Sequence, residues 1–351
     1  MKLIIQMVRT LQPIPFIALL LVTVGLSLYP MNTPELYAAD TVVVYSGRAE
    51  RLIKPVLDHF QETTGTTVQL LTAGSTELIN RIRAEGARSP ADVFITNEAG
   101  ALELARNLNL LQPITVPNLE STIPAAFRAP DNSWIGLSGR IWMVVYNVGL
   151  VKPSEIHSLL DLAQPAWKGK LAIPNANSEY LKAGASMILA AKGEKAAEAF
   201  LQGIRDNAGT EVYAKNRQIV AAVAKEKVAV GIVNHYYIFR HLAKDPQAPI
   251  APLITDQGEG DMGAIMNVAG IGLTAHAKHL PAAKRLIEFL MSPTGQEMFA
   301  RINKEYPVNP SVEADQVLPP SSSFRASSIP LTKLAELREP IIQIIQRLGL
   351  R

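Results

Sequence analysis

Residues 41–48 read TVVVYSGR, and this stretch decides the fold class of the chain. The run of β-branched residues predicts a buried strand, and the Ser-Gly-Arg sequence after it predicts a loop. Apolar side chains then recur at helical spacing over residues 52–60, which predicts an amphipathic helix. The order strand, loop, helix is typical of α/β proteins, whose ligands bind at the carboxyl ends of the strands.

The same unit repeats along the next fifty residues. Strands predicted at residues 67–71 and 92–96 alternate with helices around residues 78–82 and 102–105. Because strands and helices alternate, the sheet is predicted to be largely parallel, with helices on both faces.

A second α/β series begins after residue 138. The sequence GRIWMVVYN at residues 139–147 predicts a long apolar strand, and helices alternate beyond it with strands predicted at residues 171–174, 228–233 and 264–274. The chain has 351 residues, which is enough for two separate cores. The sequence therefore predicts two α/β lobes.

The C-terminal part is predicted to be helical. Serine-rich residues 321–328 predict a loop, and residues 331–350 have the pattern of amphipathic helices. We expect an interruption at Pro340, since proline lacks the backbone N–H that a helix interior requires.

Composition excludes several classes of function. Lys and Arg outnumber Asp and Glu by 34 to 31, which is too small a surplus for a phosphate-binding surface, so no nucleic-acid partner is predicted. The chain has no cysteine, which excludes zinc knuckles, iron–sulfur ligation and a thiol nucleophile. Any bound metal must use oxygen or nitrogen ligands.

The N-terminus predicts export from the cytoplasm. Lys2 and Arg9 precede a largely apolar stretch at residues 16–29, and the small residues Ala38 and Ala39 follow it. The pattern is that of a secretory signal peptide over residues 1–39. At about 1.5 Å per residue the apolar stretch covers roughly 21 Å, short of the roughly 30 Å membrane core. Cleavage near Asp40 is the expectation, and an uncleaved tether is the alternative.

Two adjacent tyrosines mark the candidate site. Tyr236 and Tyr237 follow the predicted strand VAVGIV and the pair Asn234-His235, so they lie where α/β proteins bind ligands. From these residues alone, the ordinary alternative is one tyrosine packed in the core and its neighbour on the surface.

Five segments, in order, carry a specific resemblance: VVVYSGR, SPADVFIT, WKGKLAIPN, VNHYYIFR and EYPVNP. Together they resemble the ferric-iron-binding proteins of ABC importers over nearly the whole mature chain. The resemblance implies a two-lobed periplasmic binding protein of type II fold, with the ligand in the cleft between lobes that are each a mainly parallel sheet flanked by helices. We expect the N-terminal lobe at residues 40–138 and 267–312, and the C-terminal lobe at residues 139–266 and 313–351.

The resemblance also implies the function. Such a protein captures Fe(III) in the periplasm, delivers it to an ABC permease of the inner membrane, acts as a monomer and catalyses no reaction. Alternatives are a binding protein of the same fold for a small anion such as a phosphonate, and a hydrolase. A hydrolase would need a nucleophile–base pair, which the sequence does not show.

The ligands that the resemblance implies are tyrosines. Tyr236 and Tyr237 correspond to the family's tyrosine pair, and Tyr180 corresponds to a third tyrosine found in a subgroup. Fe(III) is a hard ion that prefers anionic oxygen. A free tyrosine has a pKa near 10, so the cation must displace the proton.

The first lobe departs from the family pattern. Ala49 stands where the family commonly has a histidine ligand. Ser46 and Arg48 are candidates for binding a synergistic anion such as carbonate at the following helix N-terminus, and a solvated surface arginine is the alternative. Glu98 aligns near a position where relatives have an acidic ligand, but Asn97 aligns there equally well, and a solvated loop carboxylate is the alternative reading of Glu98.

Other candidates have structural interpretations. His235 is expected to point away from Tyr236 in an extended chain and to have a structural role. Tyr146 and Tyr213 are expected to be packed or hydrogen-bonded. Residues 258–263 match G-x-G-x-x-G but precede a strand rather than a helix, so they predict a flexible loop.

Overall fold

The computed structural model describes residues 40–350, so the predicted signal segment at residues 1–39 lies outside the described residues. Within this range the chain forms an α/β fold, as predicted. The strands are β1 (Thr41–Ser46), β2 (Thr67–Thr72), β3 (Val93–Thr96), β4 (Leu111–Gln112), β5 (Trp134–Asn147), β6 (Leu171–Pro174), β7 (Val212–Tyr213), β8 (Val230–Asn234), β9 (Ile250–Leu253), β10 (Met266–Thr274) and β11 (Tyr306–Pro307).

Helices connect most of these strands. They are α1 (Glu50–Thr64), α2 (Ser75–Glu85), α3 (Ala99–Asn107), α4 (Leu119–Thr122), α5 (Glu179–Lys192), α6 (Glu194–Ala208), α7 (Asn216–Ala224), α8 (Tyr236–Leu242), α9 (Leu280–Met291), α10 (Pro293–Asn303) and α11 (Lys333–Arg347). No helix in this part of the chain is long and apolar enough to cross a membrane.

The strands follow the order β2-β1-β3-β10-β5-β8-β6-β7. Parallel pairs lie towards the two ends of this path, where β1 pairs with β2 and β3, and β6 pairs with β7 and β8. The two central strands, β10 and β5, run antiparallel to their neighbours on the path. The predicted parallel units are therefore joined by an antiparallel pair.

Strand β5 belongs to both groups of strands. Its residues 134–141 pair with β10, and its residues 142–147 pair with β8 and β9. The strand starts five residues earlier than its predicted start at Gly139, because the sequence WIGLS, despite its glycine and serine, is buried against β10. The change of partner lies close to the predicted crossing between lobes, and the exact lobe boundaries stay a prediction.

The predicted interruption at Pro340 is wrong, because α11 continues through this residue as one helix. Pro340 and Glu336 both lie on the exposed face, so water can bond to the carbonyl that loses its partner. The buried face of α11 packs on α3 as well as on α5. The C-terminal helix therefore contacts elements assigned to both predicted lobes.

A buried ion pair fixes the loop after β1. Arg48 donates from Nη2 to both carboxylate oxygens of Glu305, at 2.9 and 3.0 Å, and both side chains are almost fully buried. Ser138 of β5 donates to the same carboxylate at 2.6 Å. Burial would raise the pKa of Glu305, but the charges of Arg48 and Arg140 and the bond from Ser138 outweigh it and lower this pKa.

We expect Glu305→Gln to make the free energy of unfolding depend less on pH in acid. The folded-state pKa of Glu305 is lowered, so its contribution is fully present above the unfolded pKa of about 4.3 and is lost as pH falls through the folded pKa. Because the variant leaves Arg48 buried without a counter-ion, its free energy of unfolding should be roughly 3–5 kcal/mol lower than that of wild type at pH 7. As the pH falls, the free energy of unfolding of the variant should then decrease by less than that of wild type.

Urea unfolding at pH 7, 5 and 3 measures both effects. Glu297→Gln is the control, since Glu297 forms an exposed pair with Arg301, worth about 1 kcal/mol or less. Parallel pH curves for wild type and Glu305→Gln would contradict this account.

Candidate metal centre

A cleft of about 550 Å³ opens at the carboxyl ends of the parallel strands. Its lining comes from the residues that follow β1, β2, β3, β6, β7 and β8, and includes the first turns of α2, α5 and α7. This is the edge at which an α/β fold places a ligand. Elements of both predicted lobes therefore face the same space.

The structure brings together the three tyrosines singled out in the sequence. Tyr180 and Tyr237 line the cleft, while Tyr236 is buried behind them. The hydroxyl of Tyr236 donates to that of Tyr180 at 3.4 Å. The rings of Tyr236 and Tyr237 pack with their centroids 4.5 Å apart and their planes 37° apart. Phenolic oxygens separated by 56 residues of sequence thus meet in one place.

The local backbone brings the tyrosine pair together. Strand β8 ends at Asn234, and His235 adopts helical angles, φ −48° and ψ −45°, so that α8 begins at Tyr236. The extended backbone expected at His235 is therefore wrong. Successive side chains on a helix lie about 100° apart rather than on opposite faces, so both phenols can approach one point.

The structural role predicted for His235 is confirmed. Its Nδ1 accepts from the backbone N–H of Ile141 at 3.1 Å, which places the ring proton on Nε2, 2.7 Å from the carbonyl of Lys304. Burial lowers the pKa of His235 to about 4, so the ring is neutral near pH 7. Both ring nitrogens are hydrogen-bonded to backbone groups, so neither is free to bind a ligand.

Tyr236 and Tyr237 hold their phenolic protons more tightly than a free tyrosine does. Burial raises the pKa of Tyr236 well above its usual value, and repulsion from ionised Tyr180 and Tyr237 raises it further. Burial is also the main cause that raises the pKa of Tyr237. Binding a cation at these oxygens therefore releases protons.

Two arginines lie over the tyrosine rings. The Cζ atom of Arg140 is 5.2 Å from the ring centroid of Tyr180, and that of Arg240 is 4.8 Å from the centroid of Tyr236. Arg240 also donates to the carbonyl of Asn303 at 2.8 Å. These fixed positive charges favour phenolate once the protons have left.

Glu98 lines the cleft from the predicted N-terminal lobe, whereas the tyrosines belong to the predicted C-terminal lobe. It caps the N-terminus of α3, with Oε2 accepting from the N–H of Gly100 at 3.1 Å. Burial is the main cause that raises the pKa of Glu98, and repulsion from Glu179 adds to it. The alternative reading as a solvated loop carboxylate is wrong. Asn97 lines the cleft as well, so the choice between these two as a ligand stays a prediction.

Ser46 and Arg48 lie beneath the cleft surface. The Arg48 guanidinium is buried against Glu305, and the Ser46 hydroxyl accepts from the backbone N–H of Arg48 at 3.1 Å. The alternative of a solvated surface arginine is wrong, and the anion-binding role of these two residues stays a prediction. Neither is among the residues that line the cleft, so an anion would reach their charges only through the loop backbone.

Sequence reasoning missed the basic residues that do line the cleft, namely Arg51, Lys215, Arg217 and Arg338. Arg338 pairs with Glu179 at 2.8 Å. The ion pairs found among residues 40–350 do not involve the other three. A single basic residue in the first turn of a helix is usually solvated, so nothing in the sequence pattern distinguished these side chains.

The remaining candidates lie outside the cleft. Tyr146 is in β5, and Tyr213 donates to Glu211 at 2.5 Å, as expected of packed or hydrogen-bonded tyrosines. Residues 258–263 form a loop, as predicted. Within the described range, no group of three or more His, Cys, Asp or Glu side chains could hold a metal ion.

Comparison with known proteins gives a consistent picture. The family profile described as bacterial extracellular solute-binding protein matches residues 41–301. Iron uptake protein A1 of Synechocystis is 31% identical over 91% of each chain, and the Fe(3+)-binding periplasmic protein of Serratia marcescens is 31% identical over 89% of this chain and 91% of its own.

Comparison with solved structures agrees with the comparison of sequences. The structure of IdiA (FutA) from Trichodesmium in complex with iron and citrate ligands superposes with a TM-score of 0.80 at 32% identity, covering 89% of this chain and all of that one. The predicted two-lobed type II fold is confirmed by this similarity.

We expect His235→Leu to destabilise the fold by roughly 2–4 kcal/mol, because the buried N–H of Ile141 and carbonyl of Lys304 would each lose a partner. Thermal and urea unfolding measure the loss. His241→Leu is the control on the same helix and should change the free energy of unfolding by about 0.5 kcal/mol or less. Equal effects of the two substitutions would show that His235 is not a structural support.

Proposed function

The chain belongs to the bacterial extracellular solute-binding proteins, and we propose that the solute it captures is Fe(III), for delivery to the permease of an ABC importer. It is a binding protein rather than an enzyme. The relatives named above as iron-uptake and Fe(3+)-binding proteins support this cargo. The observation that carries the proposal in the structure is the meeting of Tyr180, Tyr236 and Tyr237 at the cleft.

The charges of the site fit a trivalent cation. Three phenolates supply three negative charges, which neutralise Fe(III) within the second predicted lobe. Each phenolate is an anionic oxygen donor of the kind that a hard ion prefers. Burial of the pair keeps water away from the ligands, which strengthens each ion–ligand interaction.

The volume of the cleft leaves room for an anion that completes the coordination of the iron. About 550 Å³ is far more than a single ion needs, and Arg51, Lys215 and Arg217 give this space a positive lining. A carboxylate or carbonate anion would bind iron and these cations together. The complex of the Trichodesmium protein with iron and citrate supports such an arrangement.

Closure of the two lobes would complete the site. We propose that the lobes move as a hinge about β5 and β10, the strands that cross between them. Glu98 would then approach the iron from the first lobe and supply an oxygen ligand that the tyrosines do not.

The proposed location is the periplasm, reached through the N-terminal signal, and the proposed working form is a monomer. The periplasmic relative from Serratia marcescens supports this location. Metal analysis of the purified protein tests the cargo directly. Stoichiometric iron supports the proposal, and a metal-free protein that instead binds a phosphonate would favour the small-anion alternative.

Iron-loaded protein should be coloured, because phenolate-to-Fe(III) charge transfer absorbs visible light. Tyr236→Phe and Tyr237→Phe each remove one anionic ligand while the ring stays packed, so each should weaken iron binding about 100-fold or more with the fold intact. Titration with ferric citrate, followed by visible absorbance, gives the affinities. Tyr146→Phe serves as the control, and two pair variants that match it would show that the pair is structural.

Tyr180→Phe should leave one positive charge uncompensated at the iron, which is costly in a partly desolvated cleft. We expect weaker colour, stronger dependence on added carbonate or citrate, and release of iron at a higher pH than in the parent, because protons compete with the metal for fewer phenolates. Iron retention from pH 8 to pH 4, with and without carbonate, measures all three. Identical release curves would place Tyr180 outside the coordination shell.

A further inference from the structure

A second, much smaller cavity shares one lining residue, Tyr180, with the cleft. Its volume is about 20 Å³. Gly184 of α5 gives it room, since a Cβ there would come within 2.2 Å of the Trp142 ring. The cavity holds roughly one or two water-sized spheres.

Several residues that line this cavity carry nitrogen donors without hydrogen-bond partners. Four of its lining residues carry a buried N–H group that has no hydrogen-bond acceptor: Nε and Nη1 of Arg140, Nε1 of Trp142, Nδ2 of Asn234 and Nδ2 of Asn267. Each of these side chains is at most 8% exposed. These are 5 of the 11 unpartnered buried side-chain atoms within residues 40–350, so the excess is concentrated in one place.

Hydrogen bonds to the side-chain oxygen of Asn267 fix the orientation of its amide group. Its Oδ1 accepts from the backbone N–H groups of Ala99 and Val268, at 3.0 and 2.7 Å. The amide nitrogen must therefore face away from these groups. Asn267 lies directly opposite Arg140 in the pairing of β10 with β5, so two donors come from adjacent strands at the same level.

Arg140 brings a positive charge with no counter-ion. The ion pairs found in the described part of the chain do not include it, and the neighbouring carboxylate of Glu305 is bonded to Arg48 and Ser138. A buried guanidinium is costly unless an anion or hydrogen bonds compensate it. The 5.2 Å contact with the Tyr180 ring offsets only part of that cost.

We propose that this cavity is a binding site for one small monovalent anion of the size of chloride. A halide accepts hydrogen bonds from every side and neutralises Arg140. Water fits the donors less well, because it accepts only about two hydrogen bonds and must donate its own two protons. Among residues 40–350 the buried side-chain acceptors without a partner are Ser133 Oγ and Asn303 Oδ1, and neither residue lines the cavity.

The anion site is separate from the site for the cargo. Its occupant would lie behind Tyr180, in contact with the crossing strands, and would hold the Arg140 guanidinium under the ring. It does not need iron, so this inference stands whether or not the proposed function is correct. It predicts halide binding by the iron-free protein.

Crystals of iron-free protein grown with sodium bromide test the position of the anion. Anomalous scattering should show one bromide among Arg140, Trp142 and Asn267, and the same site should be found in iron-loaded crystals. Ordered water in the cavity with no anomalous peak at high bromide would overturn the proposal.

Thermal unfolding tests the same site in solution. Sodium chloride should stabilise the protein more than sodium isethionate at equal ionic strength, and for a dissociation constant of about 1 mM the unfolding equilibrium constant falls about 100-fold at 100 mM chloride. Equal stabilisation by both salts would count against the site.

Variants separate the anion site from general salt effects. Arg140→Met should abolish the chloride-specific stabilisation. Trp142→Phe keeps most of the ring but removes one donor, and should raise the chloride dissociation constant about tenfold, since a bond to a charged group is worth roughly 1.5 kcal/mol. Trp167→Phe, outside this cavity, should behave as the parent does. If Trp142→Phe keeps the parent's chloride dependence, the indole does not bind the anion.

Discussion

The antiparallel pairing of β5 with β10 is the constraint on which the rest of the structure depends. Each strand contributes to the centre of the sheet, and β5 continues into the second group of strands without a break. The two backbones approach closely at Gly270, where a Cβ would come within 2.4 Å of the Ile135 carbonyl oxygen. A register shift between Ala269 and Gly270 lies at this point, two residues from Asn267, which lines the small cavity.

A buried polar segment connects this pair to the tyrosines. Residues 303–305 bond to three side chains: the Asn303 carbonyl accepts from Arg240, the Lys304 carbonyl accepts from His235, and the Glu305 carboxylate accepts from Arg48. Two of these partners flank the tyrosine pair and the third follows β1. A short stretch of backbone thus fixes the position of the phenols relative to the first strand group. The lowered pKa of Glu305 reflects the charges of Arg48 and Arg140 and the hydrogen bond from Ser138 to this carboxylate.

Sequence periodicity predicted the longer strands and helices well, but it predicted the very short strands and helix α8 poorly. The pattern around residues 41–60 gave β1 and α1, because a β-branched run and apolar helical spacing each have one interpretation. Strands of two residues, such as β4 and β11, have no period to detect. Helix α8 was missed because YYIFRHL is short and aromatic, and its start depends on the tertiary bonds of His235.

Sequence patterns located only part of the site, the pair Tyr236-Tyr237 after a predicted strand. Tyr180 lies far from the pair in sequence, and only the family resemblance linked them. Arg140 and Trp142 looked like ordinary members of the strand GRIWMVVYN, because spacing alone cannot show which side chains end without partners. The basic lining of the cleft was missed for the same reason.

Burial sets how this site can exchange its cargo. The pKa values of Tyr236 and Tyr237 are raised above their usual value, so the folded protein without cargo keeps these two phenols neutral and avoids two adjacent negative charges. In the proposed site a trivalent cation would reverse that balance, since its attraction to the phenolic oxygens would exceed the cost of their deprotonation. A divalent cation would offset less of the free-energy cost of deprotonating the phenols. Under this proposal, the burial that makes Tyr236 and Tyr237 poor acids would make the site selective for high charge, and protonation of the phenols after opening of the cleft would favour release.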